Sequence, residues 1–77
     1  MAVEKELETE TDKWLKKIEL ERKKVSGDKD FLKNIDAYIS DSRYFSGKND
    51  KVRAFEAVIW AWAYLEIGKQ QGILNNV

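Results

Sequence analysis

The sequence predicts an all-α fold, a three-helix up-and-down antiparallel bundle, on three observations. Proline is absent; apolar residues recur at three- and four-residue spacings in three segments; and short glycine-bearing breaks, Ser26-Gly27 and Gly47-Lys48-Asn49, separate those segments. Short connectors between helices imply antiparallel neighbours. The 77 residues suit a single domain, residues 1–77, with helices over about 3–25, 29–46 and 50–71.

In the first helix Leu7, Thr11, Trp14, Leu15, Ile18 and Val25 form an apolar stripe. Its start carries Glu4, Glu6, Glu8, Glu10 and Asp12, and its end Arg22, Lys23 and Lys24. Acid first and base last complement the helix dipole. Asp12–Lys16 and Glu19–Lys23 have the spacing of helical ion pairs, each worth about 0.2–0.5 kcal/mol. Gly27 is the expected left-handed cap.

The second helix opens on Asp28 as N-cap and closes at Gly47. Phe31, Ile35, Tyr38, Ile39, Ser42 and Phe45 lie on one face, directed to the core. Ser42 is expected to bond back to a carbonyl one turn earlier. Asp41 flanks that face, with Arg53 or a tryptophan N–H of the third helix as its expected partner.

The third helix opens on Asn49 or Asp50 and ends at Gly72. Its central run, VRAFEAVIWAWAYLEI, is apolar on nearly every side, whereas a surface helix of a monomer needs one apolar stripe. Val52, Phe55, Val58, Ile59, Trp62 and Leu65 are assigned to the core. Ala54, Ala57, Ala61 and Gly68 form a small-residue ridge that admits a close neighbour. Trp60, Tyr64 and Ile67, with Arg53 and Glu56 alongside, form a third face. Trp60 and Trp62 stand two apart and cannot point the same way. Trp60 either packs on the flank of the first helix, lies half exposed, or joins Tyr64 and Ile67 in a contact surface. Gly68 serves close packing or marks an earlier helix end, and Ile73 to Val77 is expected to be a frayed or loosely docked tail whose Ile73 and Leu74 can close one end of the core. The full predicted core is Trp14, Ile18, Phe31, Ile35, Tyr38, Phe45, Phe55, Ile59, Trp62 and Leu65.

Fourteen basic and fourteen acidic residues give a formal net charge of zero, which disfavours nucleic-acid binding. Lys13, Lys16, Lys17, Lys23 and Lys24 make the first helix locally basic, but Glu19 and Glu21 balance them. No signal peptide is legible, and the apolar run is shorter than the roughly 20 residues that span a bilayer. A cytoplasmic protein without membrane contact is expected. Histidine and cysteine are absent, which removes the usual base, thiol nucleophile and zinc ligands. Glu56 and Glu66 fall on different sides of their helix, so no carboxylate metal site is expected. The lone Gly27 and Gly47 make no phosphate-binding loop. The expectation is no enzymatic activity and no cofactor.

From Tyr38 onward the order is Asp41, Tyr44-Phe45, Gly47-Lys48, Ala54-Phe55, Ala61, Ala63-Tyr64-Leu65, Gly68 and Gly72-Ile73-Leu74, preceded by Lys13-Trp14-Leu15. This cadence resembles the archaeal domain-of-unknown-function family 357 over nearly the whole chain. The resemblance implies a bundle like those of immunoglobulin- and albumin-binding modules, and an archaeal cytoplasmic protein; it brings no activity and no catalytic residues. The function expected is a small interaction module, a homo-oligomer (dimer) or binder of another protein, acting through the third helix. The alternative is an RNA- or nucleotide-associated accessory domain using the basic face of the first helix.

Overall fold

The computed structural model describes residues 2–77, which form three helices and a short two-stranded ribbon. The helices are α1 (Ala2–Arg22), α2 (Lys29–Gly47) and α3 (Lys51–Gln70); the strands are β1 (Val25–Gly27) and β2 (Leu74–Asn76). The helices stack into a bundle of 41 × 17 × 17 Å. α3 is the central element: its interface with α2 is the largest, α1 leans on α3, and α1 touches α2 little.

Side chains set the helix starts. The Asp28 carboxylate accepts from Phe31 N–H at 2.9 Å and the Asp50 carboxylate from Arg53 N–H at 3.2 Å, satisfying donors that the first turn leaves unpaired. Backbone closure sets the ends. In α2, Asp50 N–H donates to Phe45 O at 2.9 Å and Asn49 N–H to Ser46 O at 3.1 Å. In α3, Ile73 N–H donates to Gly68 O at 2.9 Å and Gly72 N–H to Lys69 O at 3.2 Å. Both are Schellman closures around a left-handed residue. In α3 that residue is Gly72, as the sequence predicts; in α2 it is Asn49, at φ 60°, and not Gly47.

The ribbon replaces two sequence expectations. The first helix stops at Arg22 instead of Val25, and the last residues form a strand instead of a frayed or loosely docked tail, although Leu74 closes the core as expected. β1 and β2 pair antiparallel, with Val25 opposite Asn76, Ser26 opposite Asn75 and Gly27 opposite Leu74. Backbone groups of the two segments satisfy one another, and Val25 and Leu74 enter the core as buried residues. Gly27 is no helix cap. At φ +146° it lets the chains approach so closely that a Cβ would stand 2.2 Å from the Ile73 carbonyl oxygen.

The core is Leu15, Ile18, Val25, Ile35, Ile39, Val58, Ala61, Leu65 and Leu74, with Trp14, Phe31, Leu32, Tyr38, Trp62 and Tyr64 packed around it. Of the predicted core, Phe45 and Phe55 are half-buried, while Ile59 is 43% exposed; Val52 is 58% exposed. The inward stripe of α3 is the small-residue ridge itself: Ala54, Ala57, Val58, Ala61, Leu65 and Gly68. Counting 3.6 residues per turn, Ile59 lies about 150° from that line. Alanines against the neighbours bring the helix axes together, so large side chains are displaced to the flanks and the outside. Gly68 sits at the closest approach, where a Cβ would meet Leu74 Cγ at 2.7 Å and Phe31 Cε2 at 2.9 Å.

Two polar expectations are also corrected. Ser42 bonds across to α3 and not back within α2, its hydroxyl donating to Ala54 O at 2.7 Å. Asp41 is exposed, while Arg53 stands 3.6 Å from Asp50 and Trp62 Nε1–H donates to the Trp14 carbonyl at 3.1 Å. Neither expected i,i+4 pair is present among the described residues: Glu19 meets Arg43 of α2 instead, and the ion pair near the start of α1 is Lys13 with Glu10, at 3.0 Å.

Candidate functional site

The side of α3 away from the core is apolar. Because inward positions recur at 54, 57, 58, 61, 65 and 68, the opposite side carries Val52, Glu56, Ile59, Ala63 and Ile67, with Trp60 at its edge. Trp60 is 54% exposed and Ile67 is 48% exposed. Of the other predicted surface residues, Glu56 is exposed within this stripe, while Arg53, exposed, and Tyr64, half-buried, flank it.

Trp60 leans on α2, not on α1. Its indole stacks on Tyr38 with ring centroids 6.2 Å apart and planes at 21°. Tyr38 stacks on Tyr64 at 5.5 Å, and Tyr64 meets the edge of Phe31 at 5.4 Å. The four rings form a row from the α2–α3 seam to the surface, with Trp60 outermost. Such contacts contribute about 0.5–1.5 kcal/mol per pair beyond area burial, and they hold the exposed indole against α2. Arg53 is held at the other end by Asp50 and by the face of Phe45, 5.8 Å away. Trp62 occupies the opposite flank, edge-on to Trp14 at 5.6 Å. The two tryptophans, two residues apart, therefore serve different neighbours.

Several basic side chains on and beside α1 have acidic or aromatic neighbours. Arg22 Nε lies 2.7 Å from the Asp36 carboxylate, Lys24 3.6 Å and Lys69 3.7 Å from Glu21, and Lys17 sits over the Trp14 ring at 4.7 Å. The hydrogen bond and charge of Lys13 hold Glu10 below the usual carboxylate range. Among the described residues no three acidic side chains converge as a metal site. No helix among them is long and apolar enough to cross a membrane.

The two-residue spacing of the tryptophans foreshadows the exposed row of rings. Nothing in the sequence foreshadows the contributions of Ile59 and Val52, because periodicity in a helix apolar all round does not say which side faces inward.

No curated protein matches the sequence. Among solved structures, the chain is similar to protein AF1782 from Archaeoglobus fulgidus, at 57% identity and a TM-score of 0.96, over 97% of this chain and 99% of that one. Residues 3–74 match the family described as protein of unknown function, DUF357. The chain belongs to the DUF357 family, whose three-helix fold it shares.

Proposed function

We propose that this protein is a non-enzymatic helical interaction module that self-associates through the outer face of α3. One observation carries the reading: α3 is apolar on nearly every side, yet the fold covers only the side facing α1 and α2. Helices that are hydrophobic all round are ordinarily buried all round. The uncovered side carries Val52, Ile59, Trp60 and Ile67, and a rigidly backed tryptophan is the residue type that dominates binding energy at the centre of a contact. A chain of this size also has a small core of its own and gains stability from association.

The test is solution mass by light scattering over a concentration series, on wild type and Trp60→Ala. The reading expects a wild-type dimer and a variant that dissociates at markedly higher protein concentration. A wild type that stays monomeric at millimolar concentration overturns it.

A further inference from the structure

We infer that the cavity between α1 and the turn joining α2 to α3 binds a small monovalent cation, an alkali metal ion or ammonium. Thr11 is the first observation. It is 2% exposed, and among the described residues its hydroxyl oxygen has no hydrogen-bond partner. A threonine inside a helix can satisfy its hydroxyl on the carbonyl one turn earlier, and Thr11 does not. A buried hydroxyl without a partner costs stability, and folded proteins pair nearly all such groups. The hydroxyl therefore marks a place where a further polar species belongs.

The second observation is the cavity itself. Thr11 lines a partly enclosed space of about 110 Å³. α1 supplies Glu8, Thr11 and Asp12, which share one face because they stand three and four residues apart. Ser46 and Asn49 come from the other side, where Asn49 at φ 60° turns the chain toward α3, and Lys51 comes from the start of α3. The space is too small for a nucleotide or a drug-sized metabolite, whose pockets run to about 300–1,000 Å³.

The lining selects the ligand class. Carboxylates, hydroxyls and an amide carbonyl are oxygen ligands, which suit hard cations and not soft transition metals. The oxygen of a buried hydroxyl offers lone pairs to such an ion. Charge sets the valence. Glu8 and Asp12 bring two negative charges and Lys51 one positive charge. Lys51 Nζ lies 3.0 Å from the Glu8 carboxylate, which leaves Asp12 as the uncompensated group. One net negative charge matches a monovalent cation, whereas an anion would face the carboxylates and a divalent ion would compete with Lys51 for Glu8.

Thermal melts of the full chain test the site. Potassium, sodium and ammonium chloride are each compared with tetramethylammonium chloride at equal ionic strength, since methyl groups keep that cation from close approach to oxygen ligands. At least one of the small cations should raise the melting temperature saturably, by about 4–8 °C at about fivefold excess over its dissociation constant. Thr11→Ser should keep this rise, and Thr11→Val and Asp12→Asn should lose it. In tetramethylammonium chloride alone, Thr11→Val should melt at or above the wild type, because valine has the same shape and no hydroxyl to leave unpaired.

A rise with potassium or sodium supports the site and assigns a metal ion; a rise with ammonium alone supports it and assigns an N–H donor. The absence of any rise over tetramethylammonium overturns the inference. A rise that survives in Thr11→Val overturns it as well, and so does a Thr11→Val protein that melts well below the wild type without the small cations, which would mean that the hydroxyl is satisfied within the protein.

Discussion

The Ser42 hydroxyl of α2 donates a 2.7 Å hydrogen bond to the Ala54 carbonyl oxygen of α3, within the buried seam of the two helices. Both side chains are small, so the bond forms directly between helices. Ser42→Ala should cost about 1 kcal/mol, the usual net value of one such bond, whereas Ser42→Leu should cost more through overpacking, about 1–3 kcal/mol. Urea midpoints of the two variants measure the order; equal midpoints would show that the seam is not tightly packed.

Gly68 offers a test in which two effects oppose. Alanine there gains up to about 1 kcal/mol of helix propensity. Its Cβ would stand 2.7 Å from Leu74 Cγ and 2.9 Å from the Phe31 ring, and Leu74 is itself enclosed. Overpacking at such a site costs about 1–3 kcal/mol, so Gly68→Ala should be destabilising on balance. A rise in the melting temperature would contradict the close approach.

Leu74 closes the end of the core from a segment that the sequence marks as a tail. It is 2% exposed, so Leu74→Ala should cost about 2–5 kcal/mol, and amides of β1 should exchange faster in the variant. A change below about 0.5 kcal/mol, the level of an ordinary surface substitution, would mean that the ribbon does not cover the core.

The two tryptophans should separate stability from association. Trp62→Ala removes the 3.1 Å bond to the Trp14 carbonyl and the edge contact with its ring, at a cost of about 3 kcal/mol to the folded monomer. Trp60→Ala should cost the monomer only about 1 kcal/mol, the worth of its stacking on Tyr38, and weaken the dimer. Denaturation at low and high protein concentration distinguishes the two effects.

With no histidine, stability and self-association should be flat between about pH 5.5 and 7, where histidine is the side chain that ordinarily titrates. Glu10 has a folded pKa below its unfolded value, so its small contribution is present above the unfolded pKa. It disappears as pH falls through the folded pKa, on the acid side of the carboxylate range. A pH titration of the melting temperature checks both statements.

The candidate surface is legible in the sequence only in part. Trp60, Tyr64 and Ile67 separate from Trp62 because residues two apart on a helix diverge. That Trp60 rests on Tyr38 has no local signal, since it depends on which flank of α3 receives α2. The expected partners of Ser42, Asp41 and Glu19 fail for the same reason. For Ser42 and Glu19 local spacing suggests bonds within a helix, and the bonds formed run between helices; for Asp41 the expected cross-helix partners, Arg53 and Trp62, are engaged elsewhere.

The sequence by itself determined the helix count, the cap at Asp28, the start of the third helix at Asn49 or Asp50, the stop at Gly72, and the inward residues Ile18, Ile35 and Leu65, because capping chemistry and periodicity act within a few residues. Tertiary structure alone decided which side of α3 turns inward, since a helix apolar on all sides carries no directional signal. It chose the alanine and glycine line, where helix axes come closest, and left Val52, Ile59, Trp60 and Ile67 outside. It also made the ribbon of Val25–Gly27 and Leu74–Asn76, because those segments find backbone partners only after the helices between them have folded the chain back on itself.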